Sequence, residues 1–370
     1  NAWLDLRAGP LVIDVPDTSG RYYVLGLLDF YTNPFASVGQ RTTGTAARSI
    51  VITPPGWQGA LPAALQTAGA RVDAPTPWVW IIGRILVEGP HDVPAVNALQ
   101  DGFTLRTLAA WSAGQDATDT PRRFDPGFDA HTVTEAAPDA IRFAAVVNEA
   151  LKYNPPPARE QALVARLTAV GIGSDAPALT AAQQTALSEA LKQCLAQWRN
   201  ASLDRAGPTG WQIMPLLEHS FGDDYAGRAL VAHKYIGMLE SREASYPMAH
   251  ADINGQPLRG QRAYRLRFPP DGLPPVQAFW SLTMYDARDC MLVPNAMDRY
   301  AIGDRTPGLR RDADGSLTLH IQHTPPADPA ARANWLPAPA GNFYLCLRAY
   351  VPREELLDGR YTLPPLELKS

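Results

Sequence analysis

From Trp3 to about Leu108 the hydrophobic positions come in short runs, at 11–15, 22–30, 50–52 and 79–87, separated by Gly, Pro, Asn and Asp. Short apolar runs between turn formers predict the strands of a sandwich or barrel. Only residues 92–100 break the pattern, and they predict a short helix with Pro94 tolerated in its first turn. Between about Pro138 and Leu239 the spacing becomes helical. Ile141, Ala144, Ala145, Asn148 and Leu151 fall on one face, and Leu187, Leu191, Leu195 and Trp198 on another. Thr180 and Gln183 have the spacing of a capping box, and Asp223-Asp224 favours the start of a last helix running through Arg228 to Leu239. From Gly260 onward the strand pattern returns, at 264–268, 278–285, 316–322 and 343–350.

Two glycine-bearing segments invite chemical readings that their context removes. Gly171-Ile-Gly173-Ser-Asp-Ala176 fits a loose dinucleotide fingerprint, but it follows a helical pattern rather than a strand, so a helix C-cap and linker is the reading adopted. Asp312-Ala-Asp314-Gly315-Ser316 resembles a calcium loop. With Gly315 at the sixth loop position, however, Arg310 falls at the first and Ile321 at the twelfth, and neither can ligate. The Asp-Gly pair instead predicts a hairpin turn.

A chain of 370 residues exceeds what one core usually fills, so two domains are expected. Only four of the 33 basic residues are lysine, and the net charge is −4, which argues against a nucleic-acid surface. The longest apolar run, from Trp78 to Leu86, is interrupted by Gly83-Arg84 and falls well short of the ~20 residues of a membrane helix. Cys194, Cys290 and Cys346 are widely spaced and form no CxxC pair, so each is expected to be a buried free thiol. The sequence opens at Asn1, directly before a strand-like segment, which leads us to expect a further N-terminal segment.

Several motifs recur in order. At the front are Tyr22-Tyr23, Leu27-Leu28-Asp29, Phe35-Ala-Ser37-Val-Gly39, Arg41-Thr-Thr-Gly44-Thr45, Pro54-Pro-Gly-Trp57 and Trp80-Ile-Ile-Gly83-Arg84. Tyr225-Ala-Gly-Arg228-Ala229 marks the middle. The last third carries Phe279-Trp-Ser-Leu-Thr-Met-Tyr-Asp286, Arg299-Tyr300, Gly303-Asp-Arg305, Asp314-Gly-Ser316 and Asn334-Trp-Leu-Pro-Ala-Pro339. The front resembles the bacterial domain of unknown function 1254, and the last third resembles its usual companion, the domain of unknown function 1214. The resemblance implies a mainly β chain with two jelly-roll-like β-sandwich domains, at 1–125 and 251–370, joined by an α-helical region at 126–250. It also implies a periplasmic or secreted protein, since relatives generally carry an upstream stretch headed by a secretion signal.

The motifs contain five arginines: Arg41, Arg84, Arg299, Arg305 and Arg348. A planar fork of donors suits carboxylate, phosphate or sulfate, so Arg41, Arg84, Arg299 and Arg305 are the candidate substrate-binding residues. The competing reading pairs Arg41 with Asp29, and Arg305 with Asp304 or Asp298, as ties between loops and sheets. Acid–base hydrolysis needs carboxylates in pairs. Asp29 and Asp304, at strand ends, are the catalytic candidates, with Asp286 and Asp298 nearby in their motifs. Trp57 and Trp335 are read as loop aromatics lining a groove. His320 and His323 lie three apart in a strand pattern and therefore point to opposite faces, while His219, His233 and His250 flank the helical block without ligand spacing. No GxSxG elbow or P-loop is present, and Ser37 and Ser281 have no identifiable base.

These features lead to the expectation of a hydrolase acting on a small polar or anionic molecule in a cleft between the two β domains. No cofactor or metal follows from the residues. The expected partners are a small-molecule ligand and further copies of the chain, with neither nucleic acid nor a membrane span. A non-catalytic carbohydrate- or ligand-binding protein and an oligomeric assembly protein are the alternatives.

Overall fold

The computed structural model describes residues 1–116, 124–129 and 139–369; Pro138, where the helical pattern opens, and Ser370 lie outside them. The chain is mainly β with a helical region, and it divides into two compact units. The first comprises residues 1–202 and 219–238, and the second residues 203–218 and 239–370.

In the first unit two four-stranded sheets share one core. One sheet runs Ala2–Asp5, Trp78–Ile85, Tyr23–Asp29, Pro34–Gly39, all antiparallel. The other runs Arg71–Asp73, Arg48–Thr53, Leu11–Val15, Thr104–Thr107, with a parallel pairing between the first two. Because side chains alternate along a strand, Ile13 and Val15 enter the shared core with Ile50, Ile52, Tyr23, Leu27, Val79 and Ile81. Val12 falls on the other face of its sheet, beside Val51 and Leu65 under Leu108 and Trp111. Asp14 shares that outer face and accepts hydrogen bonds from Ser49, Thr104, Arg106 and the Trp111 indole. Gly39 is required where two strands come close, since a Cβ there would stand 2.4 Å from the Tyr23 carbonyl oxygen.

The helices of the first unit follow the sequence signals closely. Val93–Asp101 has Pro94 in its first turn. Ala181–Asn200 begins with the Thr180–Gln183 capping box, both of whose bonds form. The apolar stripe of that helix leaves no residue fully buried. Gly171 takes a φ of 84° and donates to the Thr168 carbonyl just after Gln161–Thr168, as a helix-ending glycine does. The last helix, Tyr225–Lys234, is capped by Asp224 and ends short of Leu239, the residue at which the sequence pattern placed its end. At Gly237 the chain turns with a φ of 71°.

In the second unit one sheet runs Ala301–Gly303, Val276–Asp286, Phe343–Pro352, Met248–Ala249, Gln212–Ile213, Arg205–Ala206, and Ala244–Ser245 also pairs with Phe343–Pro352. The other runs Trp335–Pro337, Leu317–Gln322, Tyr264–Phe268, Leu366–Leu368. Trp280, Leu282 and Met284 lie opposite Ala349, Leu347 and Leu345 and turn inward onto Leu266, Phe268, Leu319 and Ile321. Asp312-Ala-Asp-Gly-Ser316 forms the hairpin turn, closed by Asp312 N–H to Ser316 O at 2.8 Å. All three cysteines are free thiols. Only Cys346 is buried; Cys194 and Cys290 are exposed, contrary to the expectation for each. No helix among the described residues is long and apolar enough to cross a membrane.

Candidate functional site

A cavity of about 200 Å³ in the first unit is lined by four separated stretches of chain. The hairpin between Tyr23–Asp29 and Pro34–Gly39 supplies Asp29, Tyr31 and Asn33. Thr76 precedes the strand Trp78–Ile85, the proline-rich segment after Ala140–Tyr153 supplies Arg159 and Glu160, and the returning segment supplies His219, Ser220 and Arg228.

The hairpin is held by its own polar groups. Asp29 is 7% exposed and accepts from both the backbone N–H and the side-chain amide of Asn33, at 2.9 Å each. Asn33 is fixed in turn by the Phe221 N–H, which donates to its Oδ1 at 3.3 Å. Burial pushes the Asp29 carboxyl above its ordinary range, against the hydrogen bonds from Asn33 and Tyr31 and the charge of Arg228. Asp29 thus holds its proton more tightly than a solvated aspartate.

Tyr31 donates to the Asn154 carbonyl at 2.6 Å. Asn154 is fully buried, and its side-chain oxygen accepts from Trp78 N–H at 3.0 Å, so it docks the end of Ala140–Tyr153 onto the sheet. Burial, with Glu160 and Asp29 nearby, raises the Tyr31 pKa, whereas Arg228 opposes the rise. The phenol therefore stays neutral and serves as a donor. The Arg228 guanidinium lies 5.5 Å from the Tyr31 ring centre and 5.3 Å from that of Tyr225, a cation–π geometry. Its helix starts where it does because Gly227 leaves room for the Asp224 cap; a Cβ at Gly227 would meet the Asp224 carboxylate at 2.1 Å.

Glu160 is 5% exposed, and its Oε1 is buried without a hydrogen bond. The exposed Arg159 forms a loose ion pair with that oxygen at 3.7 Å, beyond hydrogen-bonding distance. A buried carboxylate oxygen with open lone pairs is costly, and in a cavity it is the atom best placed to accept a proton from a bound molecule. Two acids, one with its pKa raised by burial and one with an open acceptor, stand with a guanidinium and a phenol in one small space. Among the described residues no cluster of three or more His, Cys, Asp or Glu could hold a metal ion.

Of the residues singled out in the sequence, Asp29 lines this cavity. Arg41 stands in the turn after Pro34–Gly39, and Arg84 donates to the Gly237 carbonyl at 3.1 Å while its Nη1 is buried without a partner. Asp29 is held by Asn33. Trp57 is covered by Arg71, whose guanidinium lies 5.5 Å from the ring centre. The remaining candidates belong to the second unit. Arg299 donates to the Ala333 and Trp335 carbonyls at 2.9 and 3.0 Å, and burial lowers its pKa. Trp335 lies in a strand, is 7% exposed, and gives its indole N–H to Gln322. Asp304 and Arg305 follow the strand Ala301–Gly303 and are exposed residues. The Asp304 carboxyl accepts from Trp280 N–H at 3.2 Å; local desolvation raises its pKa against that bond.

Sequence reasoning passed over Glu160, Tyr31 and Asn154. Their only advance signals were a glutamate closing a triple-proline segment and an asparagine ending an amphipathic helix.

Residues 1–107 match the family described as Protein of unknown function (DUF1254), and residues 243–354 match Protein of unknown function (DUF1214). Among solved structures, the chain is similar over its whole length to 88% of the VPA0106 protein from Vibrio parahaemolyticus, at 24% identity and a TM-score of 0.75. A putative uncharacterized protein from Burkholderia cenocepacia aligns with 99% of this chain and 74% of its own, at 13% identity and a TM-score of 0.44. No curated protein matches the chain.

Proposed function

We propose that this chain, which belongs to the proteins carrying a DUF1254 domain followed by a DUF1214 domain, is a hydrolase of a small polar or anionic substrate, with its site in the cavity of the first unit. The observation that carries this reading is the buried, unbonded Oε1 of Glu160 in the same cavity as Asp29 and Arg228. In this scheme Glu160 takes the proton of the attacking water. Asp29, whose pKa burial raises, serves the leaving group as the acid, and Arg228 holds an anionic group of the substrate.

Acids in different surroundings suit this division of labour, because one must be protonated while the other is not. The test is a turnover screen with 4-nitrophenyl acetate, phosphate and sulfate, followed by Arg228→Gln on whichever substrate is cleaved. The expected outcome is a KM raised about tenfold or more with kcat less affected, as for lost ground-state binding. Saturable binding of substrate analogues with no turnover would instead support the ligand-binding alternative. We also read the protein as exported and oligomeric. The first rests on the family resemblance, and the second is supported by exposed Ile141 and Phe143 on the helix Ala140–Tyr153. Sedimentation velocity tests the oligomer, and a single monomeric boundary would contradict it.

A further inference from the structure

The second unit carries a cation of its own. Phe279, Ser281, Thr283 and Tyr285 alternate with the core residues of Val276–Asp286 and so share the outer face of the larger sheet with Tyr344, Cys346, Arg348 and Tyr350. Tyr344 is stacked between Tyr285, at 5.1 Å, and His250, at 5.0 Å. Further along the strand Phe279 stacks on Tyr350 at 4.4 Å. Arg348 stands between these two aromatic stacks, 5.9 Å from the Tyr285 ring centre, and donates from Nη2 to the Tyr285 hydroxyl. Its Nε is buried and has no acceptor.

None of the groups that Arg348 touches cancels its charge. Burial pushes the Cys346 thiol up to about 11 and raises the Tyr285 phenol, so both are neutral at neutral pH. Burial lowers the His250 pKa, which keeps that ring uncharged as well. Asp204 lies close enough to act on His250 and Cys346, but among the described residues no carboxylate forms an ion pair with Arg348. A half-buried guanidinium with a buried, unsatisfied N–H is unfavourable unless an anion completes it.

We propose that Arg348, with the Tyr285 hydroxyl and the flanking aromatic stacks, forms a binding site for the carboxylate of a small ligand with a flat apolar body. One guanidinium among neutral donors matches a singly charged oxyanion, whereas a phosphate dianion calls for a second cation that the cluster lacks. The part-exposed rings of Phe279 and Tyr285 on either side supply apolar contact for a planar body. This site is separate from the cavity of the first unit, and the proposal stands whether or not that cavity is hydrolytic.

Calorimetric titration of the full chain with benzoate, acetate and inorganic phosphate tests it. Benzoate is expected to bind saturably, acetate about tenfold or more weakly for want of the ring, and phosphate not measurably. Arg348→Gln should abolish benzoate binding, Arg348→Lys should weaken it about tenfold by losing the fork, and Tyr285→Phe should weaken it several-fold. Thermal melts establish that the variants are folded; if Arg348→Gln is not, the lysine and phenylalanine variants decide. Absence of benzoate binding, tighter binding of phosphate, or benzoate binding unchanged in the Arg348 and Tyr285 variants would overturn the proposal.

Discussion

Two aspartates in the first unit show how the same side chain acquires opposite properties. Burial works against ionised Asp14, but hydrogen bonds from Ser49, Arg106, Trp111 and Thr104 outweigh it and hold its pKa below the ordinary 3.8. Stability from Asp14 is therefore present above its unfolded pKa and lost as pH falls through the lower folded value. Asp29 is the reverse: burial raises its pKa, so its contribution is greatest below the unfolded value and is lost as pH rises through the folded one. Urea unfolding across the acid range should show this as a flatter pH dependence above about pH 4 for Asp29→Asn than for the wild type. Asp14→Ala should cost about 3 kcal/mol at neutral pH, because it strands the donors around it, and the cost should shrink in acid. Asp29 was legible from the sequence as a polar residue ending an apolar strand. Glu160 was not, because nothing in a proline-rich segment announces that its glutamate will be buried with an open oxygen.

At the scale of elements, local signals read well where a backbone group needs a specific partner. The Thr180–Gln183 box and the Asp224 cap form as their spacing requires. What local spacing could not supply was the docking of elements onto one another. Asn154 looks like an ordinary helix end, yet it accepts the buried N–H of Trp78 on a strand 76 residues away in sequence. Asn154→Ala should destabilise the protein by about 1–3 kcal/mol through that stranded donor, measured by urea unfolding. Trp335 was read as a loop aromatic because Asn and Pro flank it; the parallel pairing with Leu317–Gln322 draws it into a sheet instead. Some glycines of the matched motifs have a steric reason. A Cβ on Gly303 would stand 2.2 Å from the Trp280 carbonyl oxygen, so Gly303→Ala should cost about 3 kcal/mol and lower the melting temperature.

For the whole molecule, the alternation of strand-rich and helix-rich stretches foretold a mainly β chain with a helical region. It did not foretell that the chain would interleave two compact units. Residues 203–218 belong to the second unit, although they lie between helices of the first. Trp211 is the reason: it is 1% exposed within the second core and gives its indole N–H to the Pro364 carbonyl. Trp211→Ala should cost about 3–5 kcal/mol, and residues 239–370 expressed alone should fail to give the cooperative melt of the intact unit. The catalytic account likewise rests on interleaving, since Arg228 reaches the cavity from a segment that follows the excursion through the second unit.

The most direct test of that account is kcat for Glu160→Gln on a substrate found in the turnover screen, with the melting temperature measured alongside. The amide keeps the shape of the side chain but cannot take a proton. A fall in kcat of about 10²–10⁴-fold with the fold intact is the predicted result. An unchanged kcat in a folded variant would contradict Glu160 as the base and, with it, the assignment of the cavity as a hydrolytic site.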